Sequence, residues 1–197
     1  MATRLTFLCA SATASSRVGG FPAPDEPLDD GGARKAAAFR LRGARPDLVV
    51  SSPSKAARET ADAIGIDATI EPCLADLGFG RWTGRTIAEI ADREPSPLRR
   101  WFADPTAAPP GGESMRELVS RVGAWVDRHA DDDRRLLVIS HAAVMRAAIA
   151  HCLSAPIAAI MRIDVAPLTA LALSFHGEWR LQELRRADEP VDQPIRG

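Results

Sequence analysis

A short strand that runs directly into a helix, near residue 140, constrains the fold more than any other part of this sequence. Leu136 to Ile139 is a continuous apolar run, typical of a strand buried on both faces of a parallel sheet. Ser140 and His141 follow, and residues 142–153 have the pattern of a helix. Open α/β sheets bind ligands at the carboxyl ends of such strands. The stretch therefore predicts an α/β sheet with His141 at its ligand-binding edge.

Other parts of the chain repeat this alternation of strands and helices. Residues 4–8 and 47–50 predict strands, and Ser52 followed by Pro53 predicts the N-cap and first residue of a helix. Ser114 and Glu117 form a capping-box pattern at the start of a helix over residues 113–130. Three more strands are predicted over residues 161–165, 169–175 and 179–184. The pattern favours a three-layer α/β/α sandwich with a mainly parallel sheet.

Length and composition restrict the classes of function. The 197 residues predict one domain over residues 1–186, followed by a polar tail over residues 187–197 that we expect to be disordered. A net charge of −1 argues against binding to nucleic acid or to an anionic membrane. There is no signal-peptide pattern and no apolar run of membrane length. We expect a small-molecule ligand, and the sequence neither requires nor excludes an oligomer.

The cysteines indicate a reducing environment. Cys9, Cys73 and Cys152 are odd in number and widely spaced, and they match neither a metal-binding pattern nor a disulfide framework. We therefore predict a cytoplasmic protein with no metal and no organic cofactor.

Five stretches of the sequence carry a more specific pattern. They are the loop containing Asp25, Pro27, Leu28 and Gly32, residues 51–61 (SSPSKAARETA), residues 74–84 (LADLGFGRWTG), residues 110–114 (PGGES) and residues 140–146 (SHAAVMR). In this order they resemble the histidine phosphatase (phosphoglycerate mutase-like) superfamily, whose elements read DxPLT…G, SSPxxRAxQTA, LxE…GxWxG, PGGES and SHGGVIR. The resemblance implies the phosphoglycerate mutase-like fold.

The resemblance also implies a chemistry. In that superfamily an Arg-His-Gly signature ends the first strand, and its histidine attacks phosphorus to form phosphohistidine. Two arginines and a second histidine hold the phosphoryl oxygens, and an acidic residue protonates the leaving group. Such a pocket must be cationic because the transferring phosphoryl group carries negative charge on its oxygens.

This chain departs from that pattern at the positions that carry the reaction. By the resemblance, Cys9 stands for the first arginine, Ala10 for the nucleophilic histidine and Ser11 for the glycine. Ala56 stands for the second arginine. Losing a nucleophile or one such contact typically costs about 10²-fold or more in rate. We therefore predict that the protein does not act through phosphohistidine.

The second histidine and the acid are retained, as His141 and Asp76. One interpretation is a pseudoenzyme that binds a ligand and keeps these two residues as remnants. Another is a repurposed enzyme in which they perform acid–base chemistry on a less anionic small molecule, as a lyase, isomerase or hydrolase would. In either case the predicted pocket is lined by Cys9, Ala10, Ser11, Thr13, Ala56 and Ser140.

Three further hypotheses concern other residues. Cys9 could be a new nucleophile paired with His141. Residues 52–55 match the S-x-x-K pattern of some serine hydrolases, but we interpret Ser52 as a helix cap. The alternative function is an active phosphomonoesterase with substitute residues, in which Arg17 and Arg81 bring positive charge to the rim.

Overall fold

A single mixed sheet organises the protein. A computed structural model describes residues 2–186. Its strands are β1 (Arg4–Cys9), β2 (Leu48–Ser51), β3 (Thr69–Ile70), β4 (Arg135–Ser140), β5 (Ala170–Phe175) and β6 (Trp179–Arg185). They lie in the order β3-β2-β4-β1-β5-β6. Strands β1 to β4 run parallel, and β5 and β6 are antiparallel. The predicted mainly parallel sheet is confirmed.

Seven α-helices surround the sheet in the described residues. They are α1 (Ala14–Arg17), α2 (Asp30–Ala38), α3 (Lys55–Ala63), α4 (Ile87–Arg93), α5 (Pro95–Ala103), α6 (Met115–Arg128) and α7 (Ala142–Cys152). Three short 3₁₀ helices cover Pro72–Leu74, Gly80–Trp82 and Ile157–Arg162. The capping box of α6 is confirmed, because the Ser114 and Glu117 side chains each accept from the other residue's backbone N–H.

Successive side chains of β1 and of Ala10, which follows it, point to opposite faces of the sheet. Leu5, Phe7 and Cys9 belong to a large core cluster with residues of α6 and α7. Leu8 and Ala10 belong to a smaller cluster with residues of α3, and α2 packs against α3. Since successive strand residues point to opposite faces, helices lie on both sides of the sheet. This is the predicted three-layer α/β/α sandwich.

The strand predicted over residues 161–165 is wrong. The chain there forms the 3₁₀ helix Ile157–Arg162 and then a loop. Ile160 is buried, so this apolar segment anchors a connection against the core rather than joining the sheet. The Ile163 carbonyl accepts from Arg146 Nε at 2.6 Å, and its partner is a side chain rather than a neighbouring strand.

One sheet contains all the strands between residues 2 and 186, and the single domain over residues 1–186 stays a prediction. The tail over residues 187–197 lies outside the described residues.

Candidate functional site

The carboxyl ends of β1, β2 and β4 meet at one edge of the sheet. These strands are neighbours, and they end at Cys9, Ser51 and Ser140. The Ser140 hydroxyl is buried and donates to the Leu74 carbonyl at 2.7 Å. That bond joins the end of β4 to the 3₁₀ helix that precedes Asp76, and it brings residues from distant parts of the chain to one place.

His141 lies between β4 and α7 with an imidazole that takes no part in capping the helix. Its backbone is extended, its carbonyl accepts from Met145 N–H at 3.0 Å, and its side chain makes no capping bond. The imidazole is 12% exposed and its Nδ1 lies 3.6 Å from Asp76 Oδ2. The structure therefore brings together the two residues that were predicted to act as a pair.

Two serine hydroxyls lie next to the other ring nitrogen of His141. Ser52 Oγ lies 3.0 Å and Ser54 Oγ 2.9 Å from His141 Nε2, both within hydrogen-bond distance. Together with Asp76 they form a connected set of polar groups. We call Ser52, Ser54, Asp76 and His141 the polar side of the site.

The structure corrects the interpretation of Ser52 as a helix cap. Helix α3 begins at Lys55, and its N-cap is Ser54, whose Oγ accepts from Ala57 N–H at 3.2 Å. Pro53 therefore precedes the helix. Ser52 is fully buried, and its Oγ accepts from Ser54 N–H at 3.3 Å. Both serines follow a strand and precede a helix, so local sequence rules alone fit either as the cap.

Arg121 holds the backbone that carries Asp76. Its guanidinium donates to the carbonyl oxygens of Cys73 at 2.6 Å and Ala75 at 3.1 Å. It also makes a two-point contact with Glu113, with distances of 2.9 and 2.8 Å. None of the sequence patterns described above points to Arg121. The signal that could have found it is an arginine on α6 among apolar residues, downstream of the PGGES stretch.

Cys9, Ala10 and Ala56 form what we call the apolar side of the site. Cys9 is 5% exposed and packs in the large core cluster. Ala10 and Ala56 are each 6% exposed and belong together to the smaller cluster. None of the three side chains carries a charge, so this nearly buried side provides no positive group that would bind an anion.

The hypothesis of a Cys9 nucleophile is not supported. Burial, and secondarily the negative charge of Asp76, raise the pKa of the Cys9 thiol to about 12. A reactive cysteine needs a lowered pKa and access to solvent. Cys9 instead behaves as a small core residue.

Two predicted lining residues, Ser11 and Thr13, bind the backbone. Ser11 Oγ donates to the Gly32 carbonyl at 2.8 Å, and Ser11 N–H donates to Thr60 Oγ1 at 3.0 Å. Thr13 is the N-cap of α1 and is buried. A Cβ added at Gly32 would lie 2.1 Å from the Ala12 carbonyl oxygen, so α2 approaches this loop closely. These residues fix the wall of the site.

The two predicted rim arginines are already paired. Arg17 makes a two-point contact with Asp29, in which Nη2 donates to Oδ1 at 2.9 Å. This contact holds the pKa of Asp29 well below its usual range. Arg81 Nη2 donates to Glu94 Oε2 at 3.0 Å. Both arginines are largely exposed and balance a neighbouring carboxylate.

Comparison with known proteins identifies the family. The pattern described as "Histidine phosphatase superfamily (branch 1)" matches residues 12–186. The chain belongs to this superfamily. The matched region begins directly after Cys9, Ala10 and Ser11.

One relative and two solved structures give the extent of the similarity. Bifunctional protein Rv2228c of Mycobacterium tuberculosis is 34% identical over 142 residues, covering 68% of this chain and 39% of that protein. This chain thus spans about two fifths of that relative. The structure of the mycobacterial glucosyl-3-phosphoglycerate phosphatase Rv2419c is similar with a TM-score of 0.79 and 26% identity, covering 94% of this chain and all of that one. The alpha-ribazole phosphatase of Shigella flexneri shares the fold with a TM-score of 0.82 and 22% identity, covering 96% and 100%.

A metal cluster and a membrane-spanning helix are both absent from the described residues. Among residues 2–186, no group of three or more His, Cys, Asp or Glu side chains could hold a metal ion. Within the same range, no helix is both long enough and apolar enough to cross a membrane.

Proposed function

We propose that this histidine-phosphatase-fold protein binds a small molecule less anionic than a phosphate ester and uses His141 and Asp76 for acid–base chemistry on it. It does so without forming phosphohistidine. The observation that carries this proposal is the contact set of His141, which has a carboxylate facing Nδ1 and hydroxyls at Nε2. Such an imidazole can accept a proton at one nitrogen while a carboxylate steadies the other.

The apolar side supports the first half of the proposal. A phosphohistidine reaction needs a nucleophilic nitrogen and fixed positive charge around the phosphoryl oxygens. Ala10 and Ala56 present methyl groups that pack with Leu8 and Ala57. Cys9 presents a buried neutral thiol. A neutral or weakly charged ligand would leave no uncompensated anion against these side chains.

A phosphomonoesterase with substitute residues is the second candidate. The glucosyl-3-phosphoglycerate phosphatase among its relatives favours it. So does Arg146, which is part of the SHAAVMR stretch and whose positive charge acts on the Cys9 thiol. Arg146 Nε donates to the Ile163 carbonyl, so the two Nη groups are the part of its guanidinium that would contact a phosphate.

Enzyme assays separate the two candidates. We expect p-nitrophenyl phosphate turnover by the wild type to equal that of His141→Ala, with no phosphohistidine detected by intact mass. The matched control is His151→Ala, because His151 lies on α7 but pairs with Asp127 at the surface. Substantial wild-type turnover that is lost in His141→Ala but kept in His151→Ala would favour the phosphomonoesterase.

Ligand screening tests the charge of the pocket. Neutral metabolites should raise the melting temperature of the wild type more than their phosphate esters do, and His141→Ala should weaken that response. Strong stabilisation by phosphate esters would count against the proposal.

The expectation of a cytoplasmic location also stays a prediction, supported by the free thiols of Cys9, Cys73 and Cys152.

A further inference from the structure

We propose that Ser54 is a nucleophile activated by His141 and Asp76, and that the site transfers or hydrolyses the acyl group of a carboxylic ester. This inference rests on the acid–base role of His141 in the proposed function and adds a substrate class and a covalent step. Serine, histidine and aspartate acting in sequence are recognised by geometry and roles, not by their order in the chain.

The distances fit those roles. Ser54 Oγ lies 2.9 Å from His141 Nε2, within the range expected of a nucleophile and its base. His141 Nδ1 lies 3.6 Å from Asp76 Oδ2, just beyond hydrogen-bond distance. Catalytic contacts are often long without substrate and tighten when it binds. A carboxylate opposite Nδ1 favours the tautomer with the proton on Nδ1, which leaves Nε2 to accept from a hydroxyl.

Ser54 is better placed than Ser52 to react. Nε2 of that tautomer has one lone pair, so only one of the two hydroxyls can donate to it. Ser52 is fully buried, whereas Ser54 keeps 7% of its surface exposed. Ser54 is also slightly closer to Nε2. Its Oγ accepts from the Ala57 N–H at the amino end of the nine-residue helix α3. The partial positive charge at a helix amino end stabilises negative charge on that oxygen.

The neutral apolar side suits an acyl substrate. Cys9, Ala10 and Ala56 carry no charge that would hold a phosphate, and the 5–6% of each that remains exposed is uncharged. An uncharged ester could bind against these side chains without placing an unpaired charge beside them.

The reaction balances without a cofactor. Ser54 Oγ bonds to the ester carbonyl carbon while its proton passes to His141 Nε2. Collapse of the tetrahedral intermediate breaks the bond to the leaving oxygen, which takes that proton and departs as the alcohol. Water then attacks the acyl-Ser54 ester, with His141 again accepting a proton, and the carboxylic acid leaves as Ser54 is restored.

The chain contains a matched control in Ser114. It is the N-cap of α6, as Ser54 is of α3, and it is similarly buried at 4% exposure. Its Oγ accepts from Glu117 N–H at 3.2 Å and donates to Glu117 Oε2 at 2.7 Å, so its partner is a carboxylate rather than an imidazole. A reagent that requires a base-activated serine should distinguish the two.

The test is labelling of the full-length protein with a fluorophosphonate, followed by peptide mapping. We expect one adduct, on Ser54, and none on Ser114. His141→Ala should slow labelling by about 10²-fold or more. Ser54→Asn should abolish it while keeping the helix cap, since asparagine caps as well as serine. Circular dichroism should show that this variant is folded.

Other outcomes overturn the inference. They are the absence of any adduct, an adduct on Ser52 or Ser114, and labelling that His141→Ala leaves unchanged. Hydrolysis of p-nitrophenyl butyrate that depends on both Ser54 and His141 would support the inference independently.

Failure of this inference is distinguishable from failure of the proposed function. If Ser54 stays unlabelled while neutral ligands still stabilise the wild type and not His141→Ala, only acyl transfer is lost. If instead the wild type turns over p-nitrophenyl phosphate and accumulates phosphohistidine, both are overturned.

Discussion

The two sides of the site are built on the ends of adjacent strands, yet their side chains have opposite surroundings. On the polar side, His141 contacts two hydroxyls and faces a carboxylate. On the apolar side, Cys9, Ala10 and Ala56 pack into the two core clusters. The nucleophile and clamps implied by the resemblance would all lie on the apolar side, and the supporting histidine and acid on the polar side.

The difference teaches that two neighbouring parts of one site can differ in charge, with polar contacts organising only one of them. The polar side is fixed by contacts outside the apolar side, namely Ser140 with Leu74 and Arg121 with the Asp76 loop. The negative charge of Asp76 acts on the buried Cys9 thiol where the resemblance implies an arginine. Four predictions, in order of decreasing effect, test how separate the two sides are.

The Cys9 thiol should react with alkylating reagents far more slowly than an ordinary cysteine does. Its pKa of about 12 lowers the thiolate fraction at pH 8 by on the order of 10³-fold relative to an ordinary cysteine. Cys152 should also be slow, because burial and Asp127 raise its pKa to about 12. Iodoacetamide at pH 8, followed by peptide mass spectrometry over time, should modify half-buried Cys73 first. Rapid alkylation of Cys9 would mean that the apolar side is open and polar.

Restoring the residues that the resemblance implies should create phosphatase activity only when all three are present. The combined Cys9→Arg, Ala10→His and Ala56→Arg protein should hydrolyse p-nitrophenyl phosphate about 10²-fold faster than wild type or more. Each single substitution should give no gain, because a nucleophile and its clamps act as a unit.

The control for that experiment is the triple variant carrying His141→Ala in addition, which should lose the gain. A folded triple variant that remains inactive would mean that the polar side no longer supports phosphoryl transfer. Full activity from Ala10→His alone would mean that the apolar side already holds phosphate.

The sequence predicts the parts of the molecule that local patterns encode. The apolar run before His141 predicts a buried strand, and the Ser114–Glu117 spacing predicts the start of α6; both are confirmed. The strand predicted over residues 161–165 failed because an apolar segment is equally compatible with a connection that anchors on the core through Ile160. Only the tertiary structure decides between these uses.

The chemistry of the site depends on contacts that no local pattern contains. Ser54 and His141 are 87 positions apart, and Arg121 and Cys73 are 48 apart. The resemblance pairs His141 with Asp76, and the structure has their side chains 3.6 Å apart. The sequence could not decide which of Ser52 and Ser54 caps α3, since that depends on how the chain approaches the helix, including the bond from Lys55 N–H to the Pro24 carbonyl.

Arg121→Met should destabilise the polar side of the site. The substitution removes the guanidinium that donates to the carbonyls of Cys73 and Ala75 and to the partly buried Glu113 carboxylate, which keeps only the Gly78 N–H at 3.4 Å. We expect the free energy of unfolding to fall by about 2 kcal/mol, measured by urea denaturation. The control is Arg81→Met, because the Arg81 side chain is 65% exposed whereas that of Arg121 is 24% exposed, and its loss should cost less than about 1 kcal/mol. Equal losses would mean that the contacts of Arg121 with the backbone before Asp76 contribute no more to stability than a surface ion pair.

Ser54→Ala should have the smallest effect on stability, at about 1 kcal/mol in the free energy of unfolding, because it removes the N-cap of α3. Ser114→Ala removes the corresponding cap of α6 and should cost a similar amount, and Ser54→Asn only a few tenths of a kcal/mol. All three are measurable by urea denaturation.

If Ser54→Ala costs clearly more than Ser114→Ala, the excess measures what the bond to His141 adds to folding, and the polar side is then mainly structural. If the two costs agree, the Ser54–His141 contact contributes little to stability. The chain would then hold a hydroxyl and an imidazole 2.9 Å apart at no gain to the fold, which is the arrangement expected of groups placed for chemistry.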